Sequence, residues 1–238
     1  MTARRFIAEE GFAAGALTIL PLVVAVFPFG LLLGTLAAQK GLSPLEVSLM
    51  SATVFAGASQ FVAIEIWSDP AQVALLGATA LMINLRHVLK GAALAPQIRH
   101  WPRPLAYSGL VFIADEHWAF YLRRAATAPL TPAYYAGLAL PLYAAWVATT
   151  TLGALFGGAL REPERYGLDF AFTAVFLTLL VGLWKGRRSL WPWLASAAVA
   201  VAAYLLLPGV WYIALGGLAG SLAGALQVPP APEASDAA

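Results

Sequence analysis

Cysteine is absent from the 238 residues, which excludes disulfides, thiolate metal sites and thiol redox chemistry. Charge is scarce. Asp, Glu, Lys and Arg make up 11% of the chain, and 14 basic against 12 acidic residues leave a net charge of +2. That excess is far too small for a nucleic-acid surface. The histidines, His87, His100 and His117, fall in different segments and make no metal-ligating pattern. What remains is 61% hydrophobic, more than a soluble globule of this size can clothe in polar surface. The chain reads as an all-α, polytopic transmembrane helical bundle.

About seven or eight apolar segments follow one another along the chain. Residues 1–11 form a short charged leader on the cytoplasmic side, 12–226 a single transmembrane domain, and 227–238 a disordered tail rich in Pro, Ala, Glu and Ser. The first stretch, Phe12–Ala38, is too long for a signal-peptide core of roughly 7–15 residues. It contains Pro21 and Pro28, and its Gly30-x-x-x-Gly34 is a close-packing signature. Ser43-Pro44-Leu45-Glu46 predicts a helix start, with Ser43 as N-cap, Pro44 at the first helical position and Glu46 completing a capping box. Further stretches are Leu45–Trp67, Ala71–Leu94, Leu105–Leu122, Ala133–Leu160, Phe170–Trp184, Leu190–Leu207 and Gly209–Leu226. Pro96–Pro104 reads as a basic, proline-punctuated loop and Arg161–Asp169 as a charged one. Thr149, Thr150 and Thr151 are expected to hydrogen-bond their own helix. Gly216, Gly220 and Gly224 mark a face prepared for a close helical neighbour.

Three stretches carry polar groups where hydrocarbon would leave them without water. Phe55-Ala56-Gly57-Ala58-Ser59-Gln60-Phe61 lies in the second, Asn84, Arg86 and His87 in the third, and Asp115, Glu116 and His117 in the fourth. Polar groups at this depth either join helices or face an aqueous cavity. Asn84 and His87 share one helical face; Arg86 and Lys90 share its neighbour. Lys90 is expected to snorkel toward the interface, and Arg86 to pair with Asp115 or Glu116, since a charged Arg at mid-membrane costs at least about 2.5–3.5 kcal/mol.

Basic sites at 4–5, 99–103, 123–124 and 185–188 all favour the cytoplasm. Three apolar stretches separate the first two sites and one separates the second from the third. Full crossings throughout cannot place them all inside. One stretch within 12–94, and the stretch 105–122, are therefore expected to be re-entrant or broken, and the candidates are those with polar clusters. A faint internal repeat links Gly30-x-x-x-Gly34 and Gly41-Leu42-Ser43 to Gly153-x-x-x-Gly157 and Gly167-Leu168-Asp169. The polar clusters have no counterpart in the second half.

Together the clusters offer cations, anions and neutral hydrogen-bonding groups. A zwitterion needs a cation or helix N-terminus for its carboxylate and an acid or carbonyl for its ammonium. Composition alone does not choose an amino acid over another small solute. Gly41-Leu42-Ser43-Pro44, the Phe-flanked Gly-Ala-Ser-Gln block, Asn84-Leu85-Arg86-His87 and Asp115-Glu116 resemble, in order and approximate spacing over 27–120, the motifs of the AzlC family. His117-Trp118 has no place in that pattern. The resemblance implies a multi-pass inner-membrane permease exporting branched-chain, apolar amino acids such as valine, without a cofactor, alongside a small membrane subunit of AzlD type. Proton coupling through His87 or a carboxylate is the accompanying expectation. Gly57, Ser59, Gln60, Asn84, Arg86, His87, Asp115 and Glu116 are the candidate translocation residues. Two competing readings are an intramembrane hydrolase built on Ser59, His87 and Asp115, and a membrane subunit that transports nothing. Gly-Ala-Ser-Gln is no nucleophile elbow.

Overall fold

The first helix, α1 (Phe12–Gln39), is apolar on every face, and its 28 residues span about 42 Å, more than a hydrocarbon core of about 30 Å. Ile19, Val26 and Leu33 are buried, while Leu17, Leu20, Val24 and Phe27 face outward, as lipid-facing residues would. Pro21 and Pro28 lie within it. The helix stops at Gly41, whose φ of +88° is open to glycine at no steric cost. Its N–H donates to Ala38 O at 3.0 Å and the next, Leu42, to Ala37 O at 3.1 Å, the paired bonds of a Schellman cap.

The structure is a computed structural model describing residues 11–68, 70–157, 170, 177, 181, 184, 186–207 and 211–227. Expectations for the leader 1–10, the loop 161–169, most of 170–184 and the tail from 228 fall outside the described residues. Among the described residues all regular structure is helical. Among the described residues four helices are long and apolar enough to cross a membrane: Phe12–Gln39, Val73–Ile98, Pro132–Gly157 and Arg187–Leu206. The chain divides into two compact units, 1–176 and 177–238.

In the first unit, α1 packs along α8 (Pro132–Gly157), the most extensive helix pair of the chain. The partners ascend together. A Cβ on Gly15 would stand 3.0 Å from Leu138 N, one on Gly34 2.6 Å from Ala154 N, and one on Gly157 2.6 Å from Thr35 Cα. The two helices are therefore parallel, and the small residues of both GxxxG motifs let their backbones touch. The end where both begin is called here the near end; the end where both stop is the far end.

The second stretch is not one helix. The capping box forms as the sequence predicts, with Ser43 N–H donating to Glu46 Oε2 at 2.7 Å and Glu46 N–H to Ser43 Oγ at 3.3 Å. From it runs α2 (Pro44–Thr53), then a break at 54–56, then α3 (Gly57–Glu65). With 10 and 9 residues, each is roughly 14–15 Å long, half a membrane. Lys40 Nζ, just beyond α1, donates to the carbonyl of Glu65 at 3.1 Å. Both ends of this helix pair thus lie at the far end, and the pair is a hairpin.

The third stretch forms α4 (Val73–Asn84) and α5 (Arg86–Ile98), interrupted only at Leu85, which keeps helical angles. The expected boundary at Pro96 is corrected. Helix α5 runs through it, because one missing N–H in the last turn removes one bond and no continuation is needed. The fourth stretch is a second hairpin, α6 (Arg103–Val111) and α7 (Asp115–Thr127) around a break at 112–114. Trp101 Nε1, ahead of α6, donates to Leu130 O, beyond α7, at 2.9 Å. This hairpin has both ends at the near end, where α8 begins.

The second unit contains a short 3-10 turn (Arg187–Ser189), α9 (Leu190–Leu206) and α10 (Trp211–Ala225). The Gly216/Gly220/Gly224 face is filled from within the unit. Their Cβ positions would meet Ala200 Cβ at 2.8 Å, Ser196 Cβ at 3.0 Å and Pro192 Cγ at 3.7 Å, all on α9. The neighbour that face expected is therefore intramolecular.

Candidate functional site

The two hairpin tips, 54–56 and 112–114, meet halfway along α1 and α8. Val26, Phe55, Gly57, Ala114, Leu142 and Trp146 line a cavity of about 10 Å³, the volume that one water occupies. Val26 stands mid-way in α1, while Leu142 and Trp146 stand near the middle of α8. The ring of Tyr143 lies edge-on to Phe55 and to Phe112, with centroids 5.2 Å away in both cases. Its hydroxyl donates to Ala52 O at 2.8 Å. One side chain of α8 therefore touches both tips.

Neither Ala56 nor Ala114 caps its helix with a side chain, so α3 and α7 begin with bare N–H groups at the middle of the unit. The breaks also leave the last carbonyls of α2 and α6 pointing off their helices. Asp115 opens α7, where a carboxylate is favoured by the helix dipole.

Gln60 is 1% exposed and fully engaged. Its Nε2 donates to Ser51 Oγ at 3.0 Å, and Trp146 Nε1 donates to its Oε1 at 2.8 Å. Thr150 Oγ1 donates to Ser51 Oγ at 2.8 Å, so four buried groups tie α2, α3 and α8 together. Ser48 and Thr151 add a 2.7 Å hydroxyl contact. Thr149, Thr150 and Thr151 each bond a carbonyl of their own helix, as expected. Ser59 Oγ donates to Ala56 O at 2.9 Å and accepts from Asn84 Nδ2 at 3.2 Å, which joins the start of α3 to the end of α4. His87 Nδ1 lies 3.2 Å from Asn84 O.

Asp115 gathers the cations. Arg86 Nη2 is 2.8 Å from Asp115 Oδ2, and Lys90 Nζ is on Asp115 Oδ1. The side chains of Arg86 and Asp115 are 33% and 29% exposed, that of Lys90 only 12%. Arg86 thus pairs with Asp115, one of its two expected partners. Lys90 does not snorkel. The Asp115 carboxylate, 25 residues away in sequence, holds it, and a charge already paired gains little from reaching the interface. Glu116 is helical, in the first turn of α7.

The structure brings Ser59 and Asn84 into contact, and Arg86 and Asp115. It does not assemble a triad. Among the described residues no hydrogen bond joins Ser59 to His87 or His87 to Asp115, and each has another partner. His117 is fully buried, with its ring 6.2 Å from Phe55 and 4.8 Å from Tyr121. Sequence reasoning missed Ser51, Tyr143 and Trp146. The signal for Trp146 is its indole N–H, which inside an apolar run needs an acceptor from elsewhere.

A family model described as AzlC protein matches residues 21–160. A membrane protein of Archaeoglobus fulgidus described as uncharacterized is 33% identical over 82% of this chain and 85% of its own. The inner membrane protein YgaZ of Escherichia coli is 28% identical over 75% of the chain and 76% of its own. The branched-chain amino acid transport protein AzlC of Bacillus subtilis is 27% identical over 82% and 76%. No solved structure matches the chain.

Proposed function

The chain belongs to the AzlC family, and from that premise we propose that it exports branched-chain amino acids such as valine across the inner membrane. The observation that carries this reading is the meeting of two hairpin tips at the centre of the first unit, around an apolar cavity whose lining residues Gly57 and Ala114 stand at the starts of α3 and α7, the latter next in the chain to Asp115 of the ion pair. The name of the Bacillus subtilis relative, a branched-chain amino acid transport protein, supports the substrate class. Direction and coupling are part of the proposal.

In this reading the two broken stretches re-enter the membrane, within a bundle of about seven or eight apolar segments. The bare N–H groups of α3, beginning at Gly57 and held by Ser59, receive the substrate carboxylate together with Arg86. Backbone carbonyls at the ends of α2 and α6, with Asp115 and Glu116, receive the ammonium. Val26, Phe55, Leu142 and Trp146 receive the aliphatic side chain. Asn84 sets Ser59, and Gln60 holds the α2–α3 tip against α8. His87 or a carboxylate carries the coupling proton. A small membrane subunit of AzlD type accompanies the chain.

The test is efflux of preloaded labelled valine, leucine and isoleucine from cells expressing the chain with and without that subunit. Efflux that collapses when a protonophore is added and requires Arg86 and Asp115 is the expected outcome. Retention of label in both settings, with the protein shown in the membrane, overturns it.

A further inference from the structure

Counting crossings through the first unit removes the conflict among its basic segments. Helix α1 runs from near end to far end. The α2–α3 hairpin leaves and returns at the far end, as the Lys40–Glu65 hydrogen bond fixes. Asn84 meets Ser59 at the level of the tip, so α4 and α5 carry the chain across to the near end, where Trp101 bonds Leu130. The α6–α7 hairpin leaves and returns there, and α8 starts beside the start of α1. Arg99, Arg103, Arg123 and Arg124 all fall at or beside the near end, and the sequence adds Arg4 and Arg5 ahead of α1. The far end carries Lys40 with Glu46 and Glu65. Net basic charge faces the cytoplasm.

We infer that the two hairpins are gates of opposite sidedness: α6–α7 closes the central cavity from the cytoplasm and α2–α3 closes it from the other side. Each hairpin can tilt at its own end of the unit without unwinding the long α1–α8 pair. Their fastenings differ in one component, an ion pair at the start of α7. The outer hairpin is held by Ser51, Gln60, Trp146 and Thr150, of which the first three are at most 5% exposed and Thr150 is fully buried, in neutral hydrogen bonds. The inner hairpin is held to α8 by the Tyr135 hydroxyl donating to Gly109 O at 2.6 Å and by Tyr121 stacked on Tyr135, and to α5 by Asp115 on Arg86 and Lys90, where the side chains of Arg86 and Asp115 are about a third exposed. Removing one partner of that pair leaves the inner hairpin with its α8 contacts and an unpaired charge beside them. The α6–α7 hairpin is therefore the gate that loosens when the ion pair is broken, and it opens toward the cytoplasm. The sidedness stands independently of transport; only the step in which substrate loads through this gate rests on the export reading.

Because the chain has no cysteine, single reporters need no background substitutions. Four variants, Gln39→Cys, Gln72→Cys, His100→Cys and Ala126→Cys, would be treated with a membrane-impermeant maleimide on spheroplasts and on inverted vesicles. Positions 39 and 72 should react only from outside, 100 and 126 only from the cytoplasmic face. Opposite sides for 39 and 72, or for 100 and 126, show a full crossing instead of a hairpin and overturn the inference; so does the reverse sidedness of both pairs. A second measurement addresses the clasp. With Val26→Cys in the cavity, Asp115→Asn, and separately Arg86→Gln, should raise the labelling rate by a small charged thiol reagent several-fold from the cytoplasmic face alone. An increase from outside, or none in either variant, refutes the clasp. Neither experiment reads efflux, so a failure of the export proposal leaves both outcomes interpretable.

Discussion

Gln60 could have been read from the sequence as a substrate ligand or as packing, and its bonds separate the two. Both ends of its amide are satisfied by protein, by Ser51 at 3.0 Å and Trp146 at 2.8 Å. Replacing it with leucine keeps the volume near, strands the indole N–H and removes one of the two bonds to the Ser51 hydroxyl. Gln60→Leu should cost about 1–2 kcal/mol, between the general figure for a buried unsatisfied group and the smaller one measured between membrane helices. The expected result is a lower melting temperature in detergent with half-saturation for substrate changed less than twofold; a tenfold loss of affinity at unchanged stability would make Gln60 a ligand. Gly57 is constrained from the same side. A Cβ there would stand 3.1 Å from two ring carbons of Trp146, whose indole the glutamine holds in place. Gly57→Ala should slow efflux several-fold and Trp146→Phe, by freeing space, should restore part of it. If the alanine is silent, the tip is looser than its contacts indicate. None of this was legible beforehand, because Trp146 lies 86 residues from Gln60 and nothing local announces the pairing.

Elements whose causes are local were read correctly: the capping box before α2, the helix through 12–38 and the small-residue motifs of α1 and α8. The positive-inside conflict also marked the stretch 105–122 and, within 12–94, left two candidates carrying polar clusters, of which 45–67 forms the hairpin. What the sequence hid was which partner each motif meets. Gly30 and Gly34 face Thr149, Thr150 and Ala154 on α8, while the Gly216 series faces its own neighbour α9. Lys90 was misjudged for the same reason, since Asp115 reaches it only through the folding of α6–α7. The α1–α8 seam supplies the frame both hairpins lean on, and its backbone contacts cannot yield as a flexible side chain can. Gly34→Leu should therefore destabilise by about 3 kcal/mol or more and reduce the monodisperse fraction on size-exclusion chromatography. Gly77→Leu, on α4 with nothing within 4 Å of its Cβ, should leave that fraction unchanged. Equal losses in the two variants would deny the seam its special weight.

As a whole, the first unit is closed. A central space of about 10 Å³ is more than tenfold below the roughly 300 Å³ at which ligand pockets begin, so a branched side chain enters only if a hairpin moves. A protein in this state binds its substrate by shifting toward an opened one, and the apparent affinity is lowered by the rarity of that state. The consequence can be measured at Val26, which is 6% exposed, belongs to the long α1 and not to either tip, and tolerates cysteine with little change in volume. Val26→Cys should react slowly with a small thiol reagent, at a rate set by gate opening and not by reagent concentration once that is high. Saturating leucine should then slow the reaction several-fold, because the aliphatic side chain occupies the volume the reagent needs, whereas lysine, too polar for walls of Val26, Phe55, Leu142 and Trp146, should not. A rate that leucine leaves untouched would place the substrate elsewhere, and the cavity between the tips would then be only the seam along which two hairpins close.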